Sequence, residues 1–123
     1  MTRPLLQAYR LLLQIEWHMQ LRDLQSIHLL VRRRPVRSRS KSPRPDYLCR
    51  AVDTACAFHF KTVLCLQRSA TATLLLRSYG YPAELIIGAQ MMPFRSHAWV
   101  EIDGLVVNDK PYMHEMYQVL ERC

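Results

Sequence analysis

Cys65, His97 and Asp109 are three residues of this chain whose types could together perform thiol chemistry. A thiolate is a strong nucleophile, an imidazole exchanges protons near neutral pH, and a carboxylate can orient the imidazole and stabilise its charge. However, four cysteines and five histidines offer many such triples. Residue types alone therefore leave open whether His97 is catalytic or a half-buried sheet histidine, and whether Asp109 is only a turn residue.

Cys65 lies in the first turn of a predicted helix over residues 64–79. Gly80 stands where a left-handed residue ends a helix, and Pro82 prevents its continuation. The positive end of the helix dipole favours a thiolate at Cys65, and the backbone N–H there is a natural oxyanion donor. The sequence thus predicts a nucleophilic cysteine at a helix N-terminus.

His97 and Asp109 lie near the two ends of a predicted β-hairpin over residues 96–109. Two runs rich in Val, Ile and Trp are broken by Asp103-Gly104, which is a strong hairpin signal. If the hairpin closes, its two ends meet. The sequence therefore predicts that the histidine and the aspartate are neighbours.

Two registers of this hairpin are possible. A two-residue turn pairs Ile102 with Leu105 and turns Asp109 to the face opposite the histidine. A three-residue loop with a glycine bulge pairs Glu101 with Leu105 instead, and places Asp109 directly across from the histidine. We expect the bulge register, because the site assembles only there.

The other elements predict a single α+β domain in the order α-α-α-β-β-β-α, with N-terminal helices packed on a small antiparallel sheet. Apolar spacing predicts one long or two shorter helices over residues 4–31. Asp46 is the expected N-cap of a helix over about 47–60. A strand is expected over 83–90, and a helical tail over about 111–122.

The remaining cysteines favour packing roles rather than chemistry. Cys49 and Cys56 fall on the apolar side of the helix over 47–60 and are interpreted as small buried hydrophobes. A zinc site is the rival, because Cys56 and His59 form a C-x-x-H pair, but no second pair at ligand spacing follows. We expect no metal and no disulfide, with reduced thiols in a cytoplasm.

Residues 32–45 are predicted to be a basic loop between the helical segment over 1–31 and the rest of the domain, residues 46–123. The stretch 32–44 holds seven of the 17 basic residues and none of the 10 acidic ones, so the rest of the chain is formally neutral. An anion contact and a solubilising linker are both open. A nucleic-acid-binding module using 32–44 ranks last, because it leaves the hairpin unexplained.

Length and hydropathy set further bounds. The 123 residues suffice for one core. No apolar run reaches the roughly 18 residues of a membrane span, and no cleavage site follows the N-terminal apolar run. We therefore expect a cytoplasmic domain without a membrane segment.

Four stretches of the sequence together resemble a known family. They are Val63–Ser69 (VLCLQRS), Leu75–Gly88, Phe94–Gly104 (FRSHAWVEIDG) and Val107–Asp109. Combined, they resemble the transglutaminase-like lasso peptide biosynthesis B proteins, and more narrowly the short, split form called B2. The resemblance extends over about residues 46–109. It departs at Leu64, where the family often has a threonine.

This resemblance implies a transglutaminase/papain-like cysteine protease core without a cofactor. Such an enzyme removes the leader from a ribosomally made lasso precursor peptide through a thioester, so that a partner cyclase can close the macrolactam ring. Carried over by motif, Cys65 is the nucleophile, His97 is the general base and acid, and Asp109 orients the histidine.

The resemblance also implies a partner. Residues 1–45 are predicted to be a helical segment and a basic loop, so leader recognition is expected from a separate B1 protein. The same core could instead perform transglutaminase-type acyl transfer, since both reactions pass through a thioester and differ only in the acceptor.

Overall fold

The computed structural model describes residues 2–21, 24–37, 43–58, 65–91 and 94–123. Within these ranges lie five helices and four strands. They are α1 (Thr2–Leu21), α2 (Leu24–Arg33), α3 (Pro45–Phe58), α4 (Cys65–Ser78), β1 (Ala83–Met91), β2 (Phe94–Ile102), β3 (Leu105–Val106), α5 (Met113–Met116) and β4 (Gln118–Arg122). The predicted α+β class is confirmed. Across the described residues, no helix combines the length and apolar character needed to cross a bilayer.

Helix α4 is the central element of the core. Every residue from Ser69 to Arg77 is buried, which is expected of a helix covered on all sides. It packs against α1 and α3 on one side and against β1 and β2 on the other. The small side chains from Ser69 to Thr73 allow these neighbours to approach closely. The fold therefore holds the helix that begins at Cys65 from several directions.

The end of α4 has the geometry that the sequence predicts. Gly80 has φ +96°, in the left-handed region where glycine is favoured. The Tyr81 amide donates to the Leu76 carbonyl at 3.0 Å, and the Gly80 amide donates to the Arg77 carbonyl at 3.1 Å. This pair of bonds is a Schellman motif, which satisfies the last carbonyls of the helix.

The sheet has four strands in the order β3-β2-β1-β4, and its two faces are covered differently. Leu85, Ala98 and Val100 belong to the large cluster on the α4 side. Ile86, Trp99 and Met113 form a second cluster on the opposite face, where Tyr117 and Val119 pack against it. Because side chains alternate along a strand, His97 shares the face of Trp99 rather than that of Ala98.

The C-terminal segment corrects a prediction. Instead of a helical tail over about 111–122, the chain forms the short helix α5 and then strand β4. Strand β4 pairs antiparallel with β1, and Cys123 continues the ladder with two backbone hydrogen bonds to Leu85, at 2.9 and 3.2 Å. The free edge of β1 offers hydrogen bonds that local helical spacing cannot reveal, so this tertiary pairing overrides the local pattern.

The segment before α3 also differs from prediction. Helix α2 continues through Arg33, so the first two residues of the predicted basic loop are helical. Helix α3 begins at Pro45, and the Leu48 amide donates to the Arg44 carbonyl, so Arg44 rather than Asp46 occupies the N-cap position. Proline suits the first helical position because it lacks the amide hydrogen that would go unbonded there. Residues 38–42 of the predicted loop lie outside the described residues.

Candidate active site

His97 and Asp109 are hydrogen-bonded partners in the folded chain. Nε2 of His97 lies 2.6 Å from Oδ2 of Asp109, and both side chains are mostly buried, with 24% and 16% of their areas exposed. A neutral imidazole that donates from Nε2 to a carboxylate keeps Nδ1 as its acceptor. The pair can therefore receive a proton at Nδ1 while the carboxylate stabilises the resulting charge.

The register that brings them together is not the one predicted. Glu101 pairs with Val106 and Ile102 with Leu105, so the expected bulge register is wrong. Asp103 and Gly104 have φ values of +52° and +81°. Positive φ at both central residues defines a two-residue type I′ turn, whose twist matches that of the flanking strands.

Asp109 nevertheless reaches His97 because the chain leaves the ladder after β3. The Val107 amide still donates to the Val100 carbonyl at 3.0 Å. The Val100 amide then donates to Oδ1 of Asn108 at 2.8 Å, so a side chain takes the place of the next backbone acceptor. Residues 107–109 are bends rather than strand, and the alternation of a strand no longer decides where Asp109 points.

Asn108 is held by α4 as well. Its Nδ2 donates to the Ser69 hydroxyl at 3.0 Å, and that hydroxyl donates to the Ala98 carbonyl at 3.0 Å. Ser69 has no exposed surface. Thus a single buried hydroxyl joins α4, β2 and the bends after β3.

Cys65 is the first residue of α4 and is half-buried against the large cluster. It lies four residues before Ser69, which places it on the same face about 6 Å along the helix axis. Among the described contacts there is no hydrogen bond between the Cys65 thiol and the His97 ring. The structure therefore brings together two of the three predicted residues, while the third, Cys65, begins the helix whose Ser69 is bonded to Asn108. Residues 59–64, which precede Cys65, lie outside the described residues.

The environment of Asp109 keeps it ionised. Burial alone would raise its pKa, but hydrogen bonds from His97 and from the Lys110 amide, together with the charge of Arg68, lower the pKa of Asp109 below its usual value. The Lys110 amide donates to Oδ1 at 2.8 Å. At neutral pH the group is a carboxylate that can orient the imidazole.

Two other cysteines are held as neutral thiols. Burial, reinforced by the charge of Asp53, raises the pKa of Cys49 to about 12 and that of Cys56 to about 11. Cys49 is buried in the large cluster, as predicted, and Cys56 packs against it. Neither is poised to act as a nucleophile at neutral pH, because the thiolate is the reactive form.

Two aromatic rings, those of Tyr117 and Trp99, lie next to the imidazole of His97. The ring of Tyr117 stacks on His97 with centroids 5.4 Å apart, and that of Trp99 lies 6.4 Å away in a nearly parallel orientation. Sequence reasoning missed Tyr117, since it assigned the tail to a helix. No local signal was available, because Gln118 to Arg122 (QVLER) do not alternate between polar and apolar residues, and the exposure of these side chains alternates only once the strand has paired.

A second imidazole–carboxylate pair was also missed. His114 Nε2 lies 2.5 Å from Oε2 of Glu101, a carboxylate with no exposed surface. The same Oε2 accepts a hydrogen bond from Trp99 Nε1 at 2.9 Å, while Oε1 accepts one from Arg122 at 2.9 Å. This cluster attaches α5 and β4 to β2.

The described residues offer no grouping of three or more His, Cys, Asp or Glu side chains that could hold a metal ion. His59, the second member of the C-x-x-H pair behind the zinc alternative at Cys56, lies outside the described residues.

Comparison with known proteins adds two findings. The family model described as the transglutaminase-like superfamily matches residues 9–122. The chain is also similar to the microcin J25-processing protein McjB of Escherichia coli, with 41% identity over 56 residues. That match spans 46% of this chain and only 27% of McjB. No solved structure matches the chain significantly.

Proposed function

Because the chain belongs to the transglutaminase-like superfamily, we propose that it is a cysteine peptidase that removes the leader from a ribosomally made lasso precursor peptide. The observation that carries the proposal is the 2.6 Å contact between His97 and Asp109, made next to an Asn108 that is bonded to the helix beginning at Cys65. This contact leaves Nδ1 of the ring to exchange a proton. The similarity to McjB, a protein named for processing microcin J25, supports the choice of substrate.

In the proposed reaction, the Cys65 thiol gives its proton to Nδ1 of His97, and the sulfur attacks the carbonyl carbon at the leader–core junction. The C–N bond then breaks, and the proton on Nδ1 passes to the departing amine of the core peptide. A thioester to the leader remains. Water hydrolyses it, giving its proton to Nδ1, and the leader leaves as a carboxylic acid while the thiol is restored.

Asp109 and the start of α4 support this sequence of steps. The Asp109 carboxylate accepts a hydrogen bond from Nε2–H and stabilises the imidazolium that forms in each step. The first backbone N–H groups of a helix have no partner within it. The amide of Cys65 is therefore the proposed donor to the oxyanion.

The proposal requires the Cys65 sulfur to approach Nδ1 of His97 when the peptide binds. Catalytic hydrogen bonds are often long in the free enzyme and shorten in the complex. Substrate binding beside α4 would bring the thiol and ring together. A B1-type leader-binding protein would present the precursor, and a macrolactam cyclase would take up the released core peptide in the cytoplasm.

The test is cleavage of the precursor in the presence of its leader-binding partner. Cys65→Ala is expected to abolish cleavage. Cys56→Ala is the matched control, since it removes another half-buried thiol from the described core, and it should retain cleavage. A folded Cys65→Ala protein that cleaves like the wild type would refute the assignment of the nucleophile.

Acyl transfer is the second candidate, because family membership by itself fits a thioester that reacts with an amine. Incubation with a labelled primary amine separates the two reactions. Hydrolysis yields a free leader carboxylate, whereas transfer yields a leader that carries the label.

A further inference from the structure

We propose that Ser69 is a positioning residue that fixes the relative placement of Cys65, His97 and Asp109. This inference rests on the proposed function and deepens it. The Ser69 hydroxyl lies one turn after Cys65 on α4. It bonds the carbonyl of Ala98, next to His97, and the carboxamide of Asn108, next to Asp109. One hydroxyl is thus bonded to the neighbours of two of these residues and shares a helix with the third.

The hydrogen bonds of Ser69 have well-defined directions. A serine hydroxyl has one hydrogen to donate, and here it goes to the Ala98 carbonyl at 3.0 Å. A lone pair of the same oxygen accepts from Nδ2 of Asn108 at 3.0 Å. Ser69 has no exposed surface, so water does not compete for either bond. A side chain without the hydroxyl leaves both groups in need of new partners.

Asn108 transmits this constraint to Asp109. Its Oδ1 accepts from the Val100 amide at 2.8 Å, while its Nδ2 donates to Ser69. The carboxamide is thus held at both ends, and it occupies the position where the ladder between β2 and β3 stops. Because Asp109 is the next residue, fixing Asn108 fixes the direction in which the Asp109 carboxylate meets His97.

Two other hydroxyls on α4 show that burial alone does not create this link. Thr73 donates to the Ser69 carbonyl within the helix at 2.9 Å. The hydroxyl of Thr71 is fully buried and has no hydrogen-bond partner among the residues that the structure describes. Thr71→Val therefore removes a buried hydroxyl of the same helix without breaking any bond between elements, which makes it a matched control for Ser69→Ala.

The experiment measures precursor cleavage and the proton resonance of the His97 Nε2–H group in parallel. Ser69→Ala and Asn108→Ala should each lower kcat roughly 100-fold, as expected when reacting groups are displaced by about 1 Å, with KM changed only a few-fold. Both should also weaken or abolish the downfield, hydrogen-bonded Nε2–H resonance. Thr71→Val should retain the kcat and the resonance of the wild type.

The double variant Ser69→Ala/Asn108→Ala sharpens the test. If the two residues act as one unit, the kcat of the double variant should be no lower than that of the less active single variant, because the same constraint is lost in each. Asn108 lies in the half-buried bends and not in the buried core, so Asn108→Ala still tests the inference if Ser69→Ala does not fold.

Failure of this inference and failure of the proposed function would give different experimental results. A Ser69→Ala protein of lowered stability that keeps the wild-type kcat and Nε2–H resonance would show a structural role only, and would overturn this inference. Wild-type protein that shows the resonance yet cleaves no precursor would instead overturn the proposed function. In that case the resonance alone still tests whether Ser69 and Asn108 hold Asp109 against His97.

Discussion

Two imidazole–carboxylate pairs lie on the same face of the sheet, and their geometry is nearly the same. The distance between nitrogen and oxygen is 2.6 Å for His97 and Asp109, and 2.5 Å for His114 and Glu101. Both rings contact Trp99, the first stacked at 6.4 Å and the second edge-on at 5.8 Å. A short contact between a histidine and an acid therefore does not by itself identify a catalytic pair.

The surroundings of the two carboxylates separate the pairs. Glu101 has no exposed surface, and it accepts hydrogen bonds from Trp99 and Arg122 in addition to its contact with His114. A guanidinium thus compensates its charge directly. Asp109 instead accepts from His97 and a backbone amide, and its neighbour Asn108 is bonded to the helix that begins at Cys65. The first pair is suited to orient a ring for chemistry, and the second is suited to hold the C-terminal segment in place.

The largest expected effect separates the two histidines. His97→Gln should lower the rate of precursor cleavage at least about 1,000-fold, because the group proposed to exchange the thiol proton is then lost. His114→Gln should stay within about fivefold of the wild type, since Arg122 still compensates Glu101. Cleavage assays on both folded variants decide the matter. Equal losses in the two would mean that the pairs are not divided between chemistry and structure.

The sequence was enough to predict that His97 and Asp109 meet, but the reason given for it was wrong. The bulge register requires the second strand to continue to Asp109, so that the alternation of side chains decides which face Asp109 occupies. In the structure the side chain of Asn108 replaces a backbone acceptor and ends the ladder first. A carboxamide that substitutes for backbone depends on Ser69, 39 residues away, and no local pattern around the turn reports that contact.

The end of α4, in contrast, could be predicted because it depends only on residues close to it in the sequence. The end of α4 is determined by Gly80 and Pro82, which act through their own backbone preferences within a few residues. The second pair could not be found in this way, because His114 meets Glu101 only after β4 pairs with β1. That pairing joins segments about 30 residues apart, and only the edge of a folded sheet makes it favourable.

The next effect separates the two carboxylates by stability. Glu101→Gln should lower the free energy of unfolding by about 3 kcal/mol, because it weakens three polar contacts of a fully buried carboxylate, those with Trp99, Arg122 and His114, at roughly 1 kcal/mol each. Asp109→Asn should change that free energy by about 1 kcal/mol or less, yet lower cleavage by roughly 100-fold or more. Urea unfolding and precursor cleavage, measured on both variants, test whether Glu101→Gln loses more stability while Asp109→Asn loses more cleavage. The division fails if Asp109→Asn is the less stable protein.

A smaller effect should disturb both pairs at once. Gly88 lies beneath Trp99, and a Cβ added there would meet the indole ring at 2.7 Å and the Cβ of Tyr117 at 2.9 Å. Trp99 is fully buried and cannot move freely, so Gly88→Ala should cost about 2 kcal/mol of stability through overpacking. It should also lower cleavage, because Trp99 and Tyr117 both stack on His97.

Gly104→Ala is the control for that substitution. Gly104 has φ +81°, and beyond its two chain neighbours no atom of the described residues lies within 4 Å of an added Cβ, so only the backbone preference of the turn is affected. The expected loss is about 1 kcal/mol, with cleavage by the folded protein unchanged. If Gly104→Ala impaired cleavage as much as Gly88→Ala, the effect could not be assigned to the rings around His97.

The smallest effect is the pH dependence of the stability that the Glu101 and Asp109 carboxylates contribute. Burial opposes ionisation of Glu101, but hydrogen bonds from Trp99 and Arg122 and the nearby positive charges lower its pKa below the usual value. A lowered folded-state pKa stabilises the protein above the unfolded value, about 4.3, and this stabilisation is lost as the pH falls through the folded value. The gap in unfolding free energy between wild type and Glu101→Gln should thus be full at pH 7 and narrow below about pH 4. Asp109→Asn should show the same direction with a smaller gap, since its carboxylate is not bonded to a guanidinium. Unfolding titrations from pH 7 to 3 measure both gaps, and a Glu101 gap that does not narrow would contradict a buried carboxylate held ionised by Arg122.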